Sequence, residues 1–424
     1  MVARHGRRPG RGALSRCVRT AIVAGLVAGA LGWSGFACAP GAGADFAPSL
    51  AVDLPQPSAV DAVVFLIGDA GDAPRGTSPV LARLKSDVEY WAERLPRDSA
   101  VTVLFLGDNV YPVGIRDRNH PEFEADSSRL WSQIDVLGGP AARARKAQGL
   151  FMAGNHDWGN MAGEGGIARV ANQEALIDDA RASGHAVRLL PRAGDPGPEV
   201  VDLEDRARLV LMDTQWFLQE RRSGARARFF SAVRSALVEA GDRHLILAAH
   251  HPYQSAGPHG TLTPGNQGLG LMWLMQKSGT LVQDLTSPIY NDFLEELRTS
   301  FRTTGRRPLV FAGGHDHSLQ VMNPLTPEGP HTVLVSGAGS KLTPFAATEE
   351  LRYAAPRPGY MTMVFRNDRA VDLFITAGAE AEEGPCLGAE GADLDRCVVE
   401  GARSMELVYS ERLVAEGGVV PVGG

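Results

Sequence analysis

Residues 101–111 read VTVLFLGDNVY, an apolar run of strand length that ends on Gly107, Asp108 and Asn109, with Tyr111 three positions past the Asp. A run that is apolar almost throughout, rather than alternating, is the pattern of a strand buried on both faces. A carboxylate at the end of such a strand needs a partner, and the chain repeats the arrangement. GDAG (68–71), GNHD (154–157), AHHP (249–252) and GHDH (314–317) each follow an apolar run in the same way. One Gly-Asp after a strand is commonly a turn or a helix cap. Five such endings, all in residue types that bind metals, point to a site assembled at strand C-termini, where α/β folds collect their ligands.

Working outward, further apolar runs appear at 62–68, 150–154, 208–214, 244–250, 308–314, 332–339, 360–366 and 370–376. Amphipathic helical patterns lie between several of them. In SPVLARLKSDVEYWAERL (78–95), Val80, Leu81, Leu84, Val88 and Trp91 mark one face, and Ser78-Pro79 is a start signal. Similar patterns fall around 171–183 and 226–240. The alternation predicts an α/β fold with buried sheets. The close succession of the last three runs predicts a more antiparallel second half. Residues 253–307 read as a long insertion punctuated by Gly and Pro.

The chain has 424 residues and a formal net charge of −7. Its first 37 residues hold six Arg and no acid, so the remainder is six charges more negative than the whole. An acidic body argues against nucleic acid as a partner. The basic start is followed by TAIVAGLVAGALGWSGFACA (20–39), which reads as an export signal. Three readings of residues 1–38 remain: cleavage after Ala44, lipidation at Cys38, or an uncleaved anchor giving membrane attachment. The chain is expected to be exported: periplasmic, secreted or held at the cell envelope. Residues 39–60 form an Ala/Pro/Gly-rich linker, 61–376 the main domain, and 377–424 a C-terminal extension. Cys386 and Cys397 sit in that extension, and an exported chain permits a disulfide between them.

Asp, Asn and Tyr supply oxygen and His supplies nitrogen, a mixture suited to Fe, Mn or Zn. The ordered set GDxG, GDxxY, GNH, a strand ending in His, and GHxH resembles that of the purple acid phosphatases, within the calcineurin-like metallophosphoesterases. It is most like their small, tartrate-resistant acid phosphatase type, and the resemblance spans roughly residues 61–376. Supporting stretches are GDNVYPVGI, GNHDWGN, GHDHSLQ and VLVSGAG. Most metallophosphoesterases carry a His in the first motif; here Gly71 holds that place, and the resemblance implies that Tyr111 supplies the missing donor one motif later.

The resemblance implies a four-layer α/β/β/α sandwich of two mixed sheets flanked by helices. It implies a dinuclear centre, with one metal held by Asp69, Asp108, Tyr111 and His317 and the second by Asp108, Asn155, His250 and His315. Asp108 bridges the two. Phenolate, a hard anion, favours Fe(III) at the first position, with Fe(II), Zn or Mn at the second. The implied reaction is hydrolysis of phosphate monoesters by a metal-bridging hydroxide, with an acidic optimum. The substrate is a small-molecule or phosphoprotein ester. His156 and His259 are the substrate-side histidines of that scheme, and Asp157 is expected to orient His156. A phosphodiesterase on the same site, or a non-catalytic metal-binding envelope protein, is the alternative. His251 and Trp158 are expected in a wall or core, Asp316 in a loop hydrogen bond, and Asp213 outside the ligand set.

Overall fold

The computed structural model describes residues 49–73, 77–160, 163–219, 223–260, 285–379, 386 and 389–414. The expected export segment with Cys38, the Ala44 cleavage point and the linker up to residue 48 lie outside the described residues. Among the described residues, no helix is long and apolar enough to cross a membrane.

Four strands of the first sheet run parallel: β2 (Val60–Ile67), β3 (Ala100–Phe105), β4 (Gln148–Phe151) and β5 (Val187–Leu189). On the other side of β2 lie β13 (Gly359–Arg366), β14 (Val371–Ala377) and β15 (Glu406–Val414), each antiparallel to its neighbour. The two-residue β1 (Ser49–Leu50) closes that edge. In the second sheet, β7 (Ala207–Met212), β8 (His244–Ala249), β9 (Val310–Gly313) and β11 (Thr332–Ser336) are parallel. It is completed by antiparallel β6 (Glu199–Leu203), β10 (Leu319–Met322) and β12 (Leu351–Ala355). Both sheets are therefore mixed. The expected more antiparallel second half holds for β13 and β14, and β11 shares it on one edge, antiparallel to β10 and parallel to β9 in the other sheet.

Alternate side chains of each strand point to opposite faces, and both faces are apolar, so each sheet is buried on two sides. Val64, Leu66, Leu104 and Leu150 of the first sheet meet Leu209, Leu211, Ile246 and Ala312 of the second. The outer face of the first sheet, through Phe65, Phe105 and Phe151, packs on helices. These are α1 (Pro79–Arg94), α2 (Phe123–Ile134), α3 (Pro140–Arg145) and α4 (Gly163–Ala182). The second sheet is covered by α5 (Thr214–Gln219), α6 (Ser223–Val238) and α7 (Pro288–Thr304). The result is the expected four-layer sandwich.

Local signals fix the helix ends. The Ser78 hydroxyl accepts from the Val80 amide 3.1 Å away, and the predicted face of α1 is buried. The insertion at 253–307 proves to contain α7. Ser287 caps it, Gly305 ends it at φ 64°, and Tyr290, Phe293, Leu294, Leu297 and Phe301 form its buried stripe. The segment past 377, set apart on sequence, also belongs to the sandwich. It supplies β15 to the first sheet and α8 (Gly391–Ser404) against α1, and a disulfide joins Cys386 to Cys397. Across the β14–β15 pair the fully buried Asp372 carboxylate accepts from its register partner Arg412, with Nε at 2.8 Å.

Candidate metal centre

Five parallel strands end at one place. Asp69, Asp108 and Asn155 follow β2, β3 and β4 of the first sheet, and His250 and His315 follow β8 and β9 of the second. The sheets are joined there by one backbone and one side-chain hydrogen bond. The Gly68 amide donates to Ser336 O at 2.7 Å, and the Ser336 hydroxyl donates to Leu66 O at 2.7 Å. Asp69, Asp108 and His315 adopt left-handed backbone, with φ of 58°, 54° and 70°. Side-chain-bearing residues hold that conformation at a cost, and such strain gathers at functional sites.

The donor atoms fall into two groups around Asp108. In the first, the Tyr111 hydroxyl lies 3.0 Å from Asp69 Oδ1, 2.9 Å from Asp108 Oδ2 and 3.2 Å from His317 Nε2. In the second, His250 Nε2 lies 3.0 Å from Asn155 Oδ1, 3.2 Å from His315 Nδ1 and 3.5 Å from Asp108 Oδ1. His315 Nδ1 is also 3.1 Å from Asn155 Oδ1. One carboxylate thus turns one oxygen to each group. Every metal-ligand candidate from the sequence is brought here, and all but His317 are buried.

These atoms suit cations. One Tyr111 hydroxyl proton faces two carboxylate oxygens and can satisfy only one of them. His250 Nδ1 lies 2.9 Å from Leu106 O and donates to it, which leaves Nε2 as a lone pair aimed at the Asn155 and Asp108 oxygens. Ligand atoms of Asp69, Asp108 and His250 lie within 4.8 Å of one another. Oxygen with imidazole nitrogen is the donor set of Fe, Mn or Zn.

Without a cation, burial keeps one ring neutral while the carboxylates favour protons on their other neighbours. Burial, with the charges of His259, His251 and His250, holds His315 well below the usual imidazole range, in the neutral form that binds a cation. Burial lowers His250, but the Asp108 and Asp69 charges outweigh it and raise the ring overall. Burial, then Asp108 and Asp69, pushes the Tyr111 phenol well above its usual value. A phenolate here therefore requires a cation beside it.

Close backbone approach explains the glycines. A Cβ at residue 154 would stand 2.2 Å from Asp108 Oδ1, and one at 71 would stand 2.3 Å from the Asn109 carbonyl carbon. The first-motif histidine of the resembled family thus has no room on this loop: the backbone of 109–110 occupies its place and delivers Tyr111.

His156 and His259 flank the donors. The His156 ring lies 4.3 Å from that of Tyr111, with Nε2 3.9 Å from Asp108 Oδ2. The His259 ring packs 4.1 Å from that of His315. Asp157 does not orient His156 as expected; Pro112 O does, 2.6 Å from Nδ1. Asp157 points inward instead and accepts from the amides of Gly154, Asn109 and Val110 at 2.8–3.1 Å. Its buried carboxyl is pushed up to about 7 by desolvation and by Asp108, against the pull of those amides. Asp157 therefore pins the loops that carry Asp108 and Asn155 to each other. His251 is buried, with Nδ1 2.8 Å from the Thr214 hydroxyl. Trp158 is core, its indole donating to Asp213 at 2.9 Å, and Asp316 accepts from the His259 amide at 3.3 Å.

Sequence reading missed three participants. The Asn109 amide nitrogen donates to Met152 O at 2.6 Å and to Asp157 at 3.1 Å. Ser340 donates to Asp69 O. Lys341 Nζ sits 3.6 Å from the centroid of the Tyr111 ring. Ser340 and Lys341 directly follow the VLVSGAG stretch, but a lone Ser-Lys pair carries no pattern.

No protein-family model matches the chain, and no curated protein matches it in sequence. Solved structures do share its architecture. GAP50, the anchor in the inner membrane complex of Plasmodium, matches at TM-score 0.52 and 13% identity over 83% of this chain and 88% of that one. PhoD matches at 0.50 and 13% over 86% and 74%. The likeness is one of fold. The purple acid phosphatase PPD1 from yellow lupin (Lupinus luteus) seeds gives 0.48 at 15% identity, with 77% of this chain covering 52% of that one.

Proposed function

We propose that this chain is an exported phosphatase of the purple acid phosphatase kind, hydrolysing phosphate monoesters at a two-metal centre. The observation that carries the reading is the division of donor atoms into two groups around the single carboxylate of Asp108. The Tyr111 group, rich in oxygen, suits Fe(III), and the Asn155–His250–His315 group suits Fe(II), Zn or Mn. Cations held there would neutralise the phosphoryl charge and acidify water at the site.

The remaining work falls to the chain. His156 Nδ1–H donates to Pro112 O, so Nε2 is the nitrogen that faces the donor cluster. A proton carried on Nε2 is placed for delivery to the leaving oxygen. His259, partly exposed beside His315, stands on the substrate side of the second group. Asp157 keeps the two carrier loops from drifting apart.

Metal analysis of the purified chain, with turnover of an aryl phosphate monoester and its diester, tests the proposal. Two metals per chain and monoester preference are expected. Asn155→Asp and His250→Ala are each expected to lose one metal and about 100-fold or more in kcat. A diester preference would identify a phosphodiesterase, and metal binding without turnover a scaffold.

A further inference from the structure

We propose that Lys341 is a specificity-determining residue of this site, a fixed ammonium that takes a phosphoryl oxygen of a dianionic monoester and so separates monoesters from diesters. The inference rests on the phosphatase reading above and deepens it. Lys341 Nζ is 3.6 Å from the centroid of the Tyr111 ring and 3.4 Å from Asp72 Oδ2. A phenol oxygen stands roughly 3 Å from its own ring centroid by covalent geometry, so Nζ lies within roughly 7 Å of the first donor group, a span one phosphate can bridge.

Four contacts hold the lysine and its loop there. Ser340, the residue before it, donates to Asp69 O, and the Asp72 amide donates back to the Ser340 hydroxyl at 3.1 Å. The loop after β2 and the loop after β11 are thereby tied together at the edge of the donor cluster. The Asp72 carboxylate and the Tyr111 ring then aim the ammonium from two sides. The side chains of Lys341 and Asp72 remain 33% and 39% exposed, so the charge is anchored yet reachable from solvent. A monoester near neutral pH carries up to two negative charges and a diester one. A compact point charge next to the phosphoryl group therefore favours the monoester.

The test uses the full chain loaded with metal, inorganic phosphate as the binding probe, and matched aryl monoester and diester substrates. Lys341→Met is expected to weaken phosphate binding about tenfold, with metal content and melting temperature unchanged. Monoester kcat/KM should fall about tenfold through KM, and diester kcat/KM by less than about threefold. Lys341→Arg, which keeps the charge, should restore most of both. If Lys341→Met binds phosphate as the parent does, or loses monoester and diester turnover in step, the assignment is overturned and the phosphatase reading stands. A parent protein with both metals that binds no phosphate overturns both.

Discussion

Gly154→Ala tests the centre without replacing any of its donor residues. The added Cβ would lie 2.2 Å from Asp108 Oδ1, 2.5 Å from Asp108 N and 2.9 Å from its Cγ. Ordinary carbon-to-oxygen contact needs about 3.4 Å, so the overlap is about 1 Å. The carboxylate cannot simply turn aside, because Oδ1 accepts from the His156 amide at 2.9 Å and Oδ2 from Tyr111 at 2.9 Å. The backbone cannot retreat either, since Asp157 pins Gly154 and Asn109 to the same carboxyl group. Asp108 must therefore shift by several tenths of an ångström. Metal sites tolerate about 0.2 Å in a ligand distance, and a misplacement near 1 Å costs about 100-fold in rate. The variant should bind fewer than two metals, lose about 10-fold or more in kcat and lose about 1–3 kcal/mol of stability from overpacking. Elemental analysis, turnover and a thermal melt read these effects. Gly224→Ala in α6 meets only the Arg228 guanidinium at 3.7 Å and serves as the control. A Gly154→Ala protein with two metals and parental kcat would refute the geometry on which the site is built.

Three further outcomes are expected. Iron-loaded parent protein should show a visible tyrosine-to-iron absorption that Tyr111→Phe removes; persistence of the band in that variant would place the iron elsewhere. Arg412→Met removes the nearer of two guanidinium partners from the buried Asp372 carboxylate, leaving Arg366 at 3.9 Å, and should cost about 1–3 kcal/mol by denaturant unfolding, whereas a neutral result would mean that Arg366 alone satisfies the charge. His244 is buried, and burial, with the charges of Arg369 and Arg206, holds it below its ordinary value of 6.5. The unfolded chain then binds the extra proton first, so stability is lost as pH falls below about 6.5. His244→Gln should flatten the fall in melting temperature between about pH 7 and 5, and an unchanged slope would contradict the assignment.

Periodicity and strand-end chemistry are local properties, and they were legible along the chain. The run 101–107 became β3, the face of α1 was buried where its spacing placed it, and the five strand ends bring their polar side chains into one cluster. Local signals for α7, the Ser287-Pro288 start and the Gly305 stop, were also present, but Gly and Pro around them read as insertion. Other features required partners distant in sequence. Asp157 looks like a partner for the adjacent His156, yet its hydrogen bonds go to amides at 109, 110 and 154, because loop packing rather than adjacency decides which donors a buried carboxylate meets. β15 and the Asp372–Arg412 pair were likewise invisible until the chain end returned to the sheet.

By itself, then, the sequence determined which residue types stand at the ends of which buried strands, since a strand's face pattern and its terminating turn are written in neighbouring residues. Tertiary structure alone decided that both sheets bring those ends to one point, that Asp108 turns one oxygen to each donor group, and that Lys341 rests on the Tyr111 ring. Such distances depend on how two sheets pack face to face, and no run of adjacent residues encodes that.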